Sequence, residues 1–98
     1  MKSALLHYPY DEVFKNLRRV CKRKHFRIQE INELNGEMKA VKGWRILGSK
    51  SELHLKVEKQ SQLITKVDVK VMIDGIKKYG TESPKAEEKF IETIYKYF

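Results

Sequence analysis

The stretch LITKVDVKVMI, residues Leu63–Ile73, is the part of the sequence that decides the fold class. Apolar side chains or threonine occupy every second position from Leu63, and lysine or aspartate occupies most positions between them. Strict alternation over this length is typical of a β-strand with one buried and one solvated face. Because antiparallel sheets commonly keep one face in water, the stretch predicts an antiparallel sheet that is covered on one side only.

Further strands are predicted on the N-terminal side of this segment. Turns are expected at Gly48–Ser51 and at Lys59–Gln62, where polar residues interrupt the alternation. The predicted strands are Ser3–Tyr8, Phe26–Ile31, a return strand after Asn35-Gly36, a strand over Leu53–Val57, and Leu63–Ile73.

The segment LNGE, residues 34–37, is a hairpin signal that allows two loop lengths. A two-residue loop would pair Leu34 with Glu37, whereas a three-residue loop with Gly36 left-handed would pair Glu30 with Ala40. The second alternative is preferred, because a one-residue slip turns every side chain to the opposite face. It leaves Ile31 and Val41 as partly exposed apolar residues and gathers on one face Phe26, Ile28, Met38, Ala40, Trp44 and Ile46.

Two amphipathic helices are predicted, one near each end of the chain. Pro9 fits the start of the first helix, which is expected to end near Lys24. Ser83 is a good N-cap and Pro84 a good first residue for the last helix. Their apolar faces follow the helical spacing and are, for the first helix, Tyr10, Val13, Phe14, Leu17, Val20 and Cys21, and for the last, Phe90, Ile91, Ile94 and Phe98.

The predicted fold class is α+β, in the order β-α-β-β-β-β-α, with an antiparallel sheet and two helices packed on one face. Together with the motifs FRI at residues 26–28 and NGEMKA at 35–40, this order resembles small helix-grip or TATA-binding-protein-like domains of uncharacterised bacterial families. The resemblance covers nearly the whole chain. It implies lipid-binding, assembly-scaffold or nucleic-acid-binding relatives, so it implies a fold and no single function.

Bulk composition indicates one basic domain, residues 1–98. The 98 residues include 21 lysines and arginines against 13 acids, which gives a formal net charge of +8. Such a charge favours acidic partners, including nucleic acid and anionic lipid. Cys21 is the only cysteine, so an intrachain disulfide is excluded. No apolar run approaches a signal peptide or a transmembrane span, and we expect a cytoplasmic location.

No motif for catalysis, a cofactor or a metal stands out. The three histidines, His7, His25 and His54, are scattered, and no HExxH, Cys/His or EF-hand spacing is present. Cys21 lies on the apolar side of the first helix, where a buried structural cysteine is the expected reading. We therefore expect a binding or interaction domain that is not an enzyme and that uses no cofactor.

The first helix carries a row of positive charge. Between Val13 and Gln29 there are seven lysines and arginines and no acid. A solvated face normally mixes signs, and like charges four residues apart on a helix are slightly destabilising. Polyanion or nucleic-acid binding would explain this pattern. The candidate polyanion-binding residues are Lys15, Arg18, Arg19, Lys22 and Arg23.

The uncovered sheet face is the other candidate surface. A second positive field is expected there, from Arg27, Lys39, Arg45, Lys56, Lys66 and Lys70. Exposed apolar side chains beside charges also suggest a protein interface or a homodimer. The candidate interface residues are Val41, Arg45, Leu47, His54, Ile64, Lys66 and Met72.

Three functions are therefore open. Protein-partner binding or self-association through the open sheet face is preferred. Binding of nucleic acid or another polyanion through the first helix is the alternative. A small apolar-ligand pocket between sheet and helices is a further alternative, for which a chain of 98 residues leaves little room.

Overall fold

A computed structural model describes residues 1–44, 49–74 and 81–98 of the chain. It confirms the α+β class and the order β-α-β-β-β-β-α, with one additional two-residue strand before the last helix. That strand is too short to leave an alternating pattern in the sequence. The elements are β1 (Lys2–Leu6), α1 (Tyr10–Arg23), β2 (Arg27–Asn32), β3 (Glu37–Trp44), β4 (Ser49–Ser61), β5 (Ile64–Asp74), β6 (Thr81–Glu82) and α2 (Pro84–Tyr97).

The strands form one antiparallel sheet in the order β1-β5-β4-β3-β2, with β6 also paired to β5. The two longest strands, β4 and β5, lie in the middle. Both expected turns flanking β4 are shorter than predicted, because β4 already begins at Ser49 and continues to Ser61. Gly48 lies outside the described residues. Polar residues at both ends of β4 thus belong to the strand, where their side chains can point to the solvated face.

The β2–β3 hairpin differs from both predicted registers. Asn32 pairs with Glu37, so the loop has four residues, 33–36. The bulge lies inside β2, between Ile28 and Glu30, and not at Gly36. Because a bulge absorbs one residue, Ile28 and Ile31 point to the same side although they are three positions apart. Ile28 pairs with Ala40 and Ile31 with Met38.

Of the two apolar residues predicted to be partly exposed, one is so and one is not. Ile31 is partly exposed, as predicted, and packs against the core cluster together with Phe26 and Ile28. Val41 is only 4% exposed, so it is buried and not the partly exposed residue that the sequence predicted. The predicted common face is nevertheless correct for Phe26, Ile28, Met38 and Ala40, and Ile46 lies outside the described residues.

The core lies between the two helices and one face of the sheet. The helices contribute Phe14, Leu17, Phe90 and Ile94, all 2% exposed or less. The sheet contributes the inward positions of its alternating strands, which the sequence predicted: Met38, Ala40, Leu53, Leu55, Val57, Val67, Val69 and Val71. The opposite face of the sheet is uncovered by any described element, and we call it the open face.

The end of α1 has the hydrogen-bond pattern of helices that usually end at a glycine, although histidine stands at that position here. Phe26 N–H donates to Cys21 O at 2.8 Å and His25 N–H donates to Lys22 O at 3.1 Å, which is a Schellman motif. His25 therefore holds the left-handed position with φ +63°. The motif ends α1 at Arg23, with Lys24 as the C-cap, and turns the chain into β2.

Helix α2 is anchored to the sheet by a buried acid. The Ser83 hydroxyl accepts a hydrogen bond from Ala86 N–H at 3.3 Å, as its N-cap role predicts. Glu87 in the next turn is fully buried, and its Oε2 accepts from Val71 N–H at 2.9 Å. Strand β1 pairs with β5 only as far as Val69, and β6 pairs only from Met72. The Glu87 carboxylate therefore accepts a hydrogen bond from the Val71 N–H, which lies between the parts of β5 that pair with β1 and with β6.

Candidate functional site

The five basic residues predicted on the first helix all lie exposed on one side of α1. The opposite side is fixed by the core, because the apolar stripe of this helix is buried. With 3.6 residues per turn, the positions between the stripe residues must face water. We call Lys15, Arg18, Arg19, Lys22 and Arg23 the basic face.

Two members of the basic face have partners. Arg18 Nη2 forms an ion pair with Glu33 Oε1 at 2.9 Å, in the β2–β3 loop. The Arg23 guanidinium carbon lies 4.3 Å from the centre of the Tyr97 ring. Within the part of the chain that the structure describes, no carboxylate lies within 4.0 Å of Lys15, Arg19 or Lys22. Three cations are therefore available to a ligand.

The helix dipole accounts for only part of this charge. Cations in the last turn of a helix are stabilised by its partial negative end, and Lys22 and Arg23 stand there. Lys15 and Arg19 lie further from that end and four residues apart, so they repel each other without this compensation. Asp11 lies four residues before Lys15, which is a favourable spacing, but no acid lies three or four residues from Arg19. The charge in the middle of the basic face is therefore not compensated within the helix.

Tyr97 is a part of this surface that sequence reasoning missed. It belongs to the last turn of α2 and remains 41% exposed. Arg23 stacks on its ring at 4.3 Å, and the Lys96 ammonium lies 5.5 Å from the same ring. The candidate residues predicted for this surface were all basic residues of the first helix. Only the packing of α2 beside α1, which spacing along the chain does not reveal, brings an aromatic ring to the basic face.

The open face carries interleaved charges. Its strand registers place Lys56 opposite both Glu37 and Asp68, and Lys66 opposite Glu58. Lys66 Nζ also lies 3.7 Å from Asp68 Oδ1. Such opposite-charge pairs stabilise a sheet modestly. The expected positive residues are on this face, apart from Arg45, which lies outside the described residues. Acids stand between most of them, so the face as a whole is not a uniform positive field.

The predicted interface residues do not form one apolar patch. Arg45 and Leu47 lie outside the described residues, and Val41 is buried. Ile64 and Met72 are both partly exposed on the open face. They are eight residues apart along β5, which corresponds to about 26 Å of strand. Met72 lies between Glu52 and Glu82, whereas Ile64 lies opposite Ser61, so the two residues do not share one patch. Self-association would therefore have to depend largely on the polar surface.

A concave depression of about 680 Å³ lies on the open face, across β2, β3, β4 and β5. Its walls include His54 and Lys56 from β4, and Asp68 and Lys70 from β5. The predicted apolar-ligand pocket would lie on the other side of the sheet. There, Phe14, Leu17 and Phe90 are among the fully buried side chains that fill the layer.

The described residues show no constellation for metal or thiol chemistry. None of them form a group of three or more histidine, cysteine or acidic side chains that could hold a metal ion. Cys21 is buried, as predicted, and its sulfur lies 4.0 Å from Met38 Sδ. Burial raises the pKa of the Cys21 thiol to about 12, which keeps it protonated and unreactive near neutral pH.

No helix among the described residues is long and apolar enough to cross a membrane. Comparison with models of known protein families gave no match, and comparison with curated proteins gave none either. The resemblance to helix-grip and TATA-binding-protein-like domains therefore stays a prediction from the sequence pattern.

Proposed function

We propose that this protein is a non-enzymatic binding domain that holds nucleic acid, or a similar polyanion, on the basic face of α1. The observation that supports this most strongly is the set of three exposed cations, Lys15, Arg19 and Lys22, with no carboxylate within 4.0 Å among the described residues. Unpaired, mutually repelling cations on a rigid helix are suited to phosphate contacts.

The distribution of charge over the molecule supports the same choice. The net charge is +8, and the segment between Val13 and Gln29 contributes seven positive charges without an acid. The open face, in contrast, places Lys56 and Lys66 opposite acids across the strands. An approaching polyanion would therefore be attracted mainly to the α1 side of the domain.

The geometry suits backbone contacts without sequence readout. Lys15 and Arg23 are eight residues apart, which spans about 12 Å along the helix axis. One strand of duplex offers a phosphate roughly every 3.4 Å, and so the basic face can reach several phosphates. The exposed ring of Tyr97, backed by Arg23, adds a surface on which an unpaired base can stack.

Neutralising the basic face is expected to weaken nucleic-acid binding by at least about tenfold, because two phosphate contacts are lost. The change is Arg19→Gln with Lys22→Gln, and the measurement is fluorescence anisotropy with a labelled oligonucleotide at low salt. The matched control, Lys85→Gln with Lys89→Gln, removes the same charge from exposed positions of α2. Equal losses in both pairs would mean that net charge alone drives binding, and would contradict the proposal.

A second proposed function is protein-partner binding or self-association through the open face. The concave depression and its alternating charges favour it, since a partner with the complementary pattern could pair with them. If the protein self-associates there, sedimentation experiments at low salt should give a mass above the 11.6 kDa of the monomer. The variant Lys56→Glu should lower that mass. A monomer at all protein concentrations would contradict self-association.

We also propose that the protein works in the cytoplasm. A single cysteine, which is buried and protonated, fits a reducing compartment better than an oxidising one. The apolar-ligand alternative has no supporting observation, because side chains with almost no exposure fill the layer between helices and sheet.

A further inference from the structure

Three basic side chains lie directly opposite one another on the open face. Lys39 of β3 pairs in register with His54 of β4, and His54 pairs with Lys70 of β5. Neighbouring strands are about 4.8 Å apart, so this row extends over roughly 10 Å. All three residues line the same depression of about 680 Å³. We call them the basic row.

The basic row departs from the pattern of the sheet around it. One step along the same strands, Lys56 lies between Glu37 and Asp68, with opposite charges side by side. Like charges directly opposite each other in a sheet are destabilising. Within the row, Lys39 and Lys70 both face His54, and only Lys39 has an acid, Glu30 of β2, opposite it on its other side.

The acids around the row compensate it only in part. His54 Nε2 lies 3.6 Å from Glu52 Oε2, and Glu52 is shared with Lys50 at 3.3 Å. Glu30 is opposite Lys39 in register. Among the described residues, however, no carboxylate lies within 4.0 Å of the Lys39 or Lys70 ammonium. The depression is also lined by Glu30, Glu37 and Asp68, but Glu37 and Asp68 lie opposite Lys56, so the charges of Lys39 and Lys70 remain available to a ligand.

We propose that the basic row is a binding site for a small multivalent oxyanion, of the class of a diphosphate or a phosphorylated metabolite. An oxyanion with two or more negative charges would bridge the ammonium groups of Lys39 and Lys70, which stand on either side of His54. Lysine ammonium groups act as point charges, so they can accept phosphate oxygens without a planar geometry. The depression is large enough for a small molecule. This site lies on the opposite side of the sheet from α1 and does not depend on the function proposed above.

The first test is calorimetric titration of the full chain with inorganic pyrophosphate at low salt. We expect Lys39→Gln and Lys70→Gln each to weaken binding by about tenfold or more, since each removes a charged hydrogen-bond donor. The control is Lys66→Gln on the same face, where the lysine is already opposite Glu58 and close to Asp68. That variant is expected to bind pyrophosphate as the unchanged protein does.

A second readout separates a site from general attraction by charge. Lys70→Glu is expected to change the Tm of the free protein little, because Lys70 is exposed and no carboxylate among the described residues lies within 4.0 Å of its ammonium group. Pyrophosphate should raise the Tm of the unchanged protein and not that of Lys70→Glu. The proposal would be overturned if pyrophosphate bound equally to the row variants, or if Arg19→Gln with Lys22→Gln abolished its binding instead.

Discussion

Replacing Phe90 with alanine is expected to lower the free energy of unfolding by about 3–5 kcal/mol. Phe90 is 2% exposed and holds α2 against the sheet. Its ring meets that of Phe26 edge to face, with 5.9 Å between the ring centres, which joins α2 to the end of α1 and the start of β2. Truncation removes apolar contacts and leaves a cavity that rigid neighbours cannot fill.

The loss is measurable by urea denaturation monitored by circular dichroism. Domains of this size have a total stability of only about 5–15 kcal/mol, so the variant should unfold at a much lower urea concentration. Tyr95→Ala is the control on the same helix, because that side chain is 57% exposed. Tyr95→Ala should change the free energy of unfolding by no more than about 0.5 kcal/mol. If the two variants were equally stable, the assigned buried face of α2 would be wrong.

Gly36→Ala is expected to lower the free energy of unfolding by at least about 2 kcal/mol. Gly36 has φ +72°, which alanine adopts only with strain. A Cβ atom there would also lie 2.1 Å from Val57 O and 3.1 Å from the Tyr10 hydroxyl. Neither neighbour can move freely, since Gly36 O accepts a hydrogen bond from Val57 N–H at 2.6 Å and the Tyr10 hydroxyl donates to Glu33 O. The β2–β3 loop would have to detach from β4.

Thermal unfolding tests this prediction by comparing the Tm shifts of two variants in the β2–β3 loop. Asn35→Ala changes the adjacent exposed residue, whose backbone is not left-handed. It should shift the Tm by no more than about 2–4 °C, whereas Gly36→Ala should shift it by roughly 8 °C or more. Similar small shifts in both variants would show that the loop does not pack against Val57 in this way.

The sequence is sufficient to predict the fold class, because its signals are local and repeated. Alternation along Leu63–Ile73 identifies β5 and its buried face, and the spacing of apolar residues identifies both helices. Ser83 and Pro84 mark the start of α2 correctly. Each of these features depends on positions a few residues apart in one element.

The β2–β3 register was mispredicted for a physical reason. Asn35-Gly36 shows where the chain turns, but no characteristic residue type marks the bulge between Ile28 and Glu30 in the sequence. One absorbed residue changes which side chains point inward. Ile31 therefore packs against the core cluster, whereas Val41 stays on the open face opposite Glu52, and its burial there does not follow from the bulge.

The candidate sites show the same limit. The basic face could be predicted, because its five residues belong to one helix and their spacing along the sequence decides which side they occupy. The stacking of Arg23 on Tyr97 joins two helices that are distant in sequence. The basic row needs the register of three strands to bring Lys39 beside His54 and Lys70. Sequence reasoning placed these three residues on the open face but could not show that they are direct neighbours.

The salt dependence of nucleic-acid binding tests the central claim most directly. The measurement is fluorescence anisotropy with a labelled single strand of about 20 nucleotides, long enough to cover the site, at several salt concentrations. If Lys15, Arg19 and Lys22 contact phosphates, the logarithm of the binding constant should fall with the logarithm of salt concentration with a slope of about −2. No binding at about 50 mM salt, or a slope near zero, would contradict the account and reduce the basic face to a solvated helix surface.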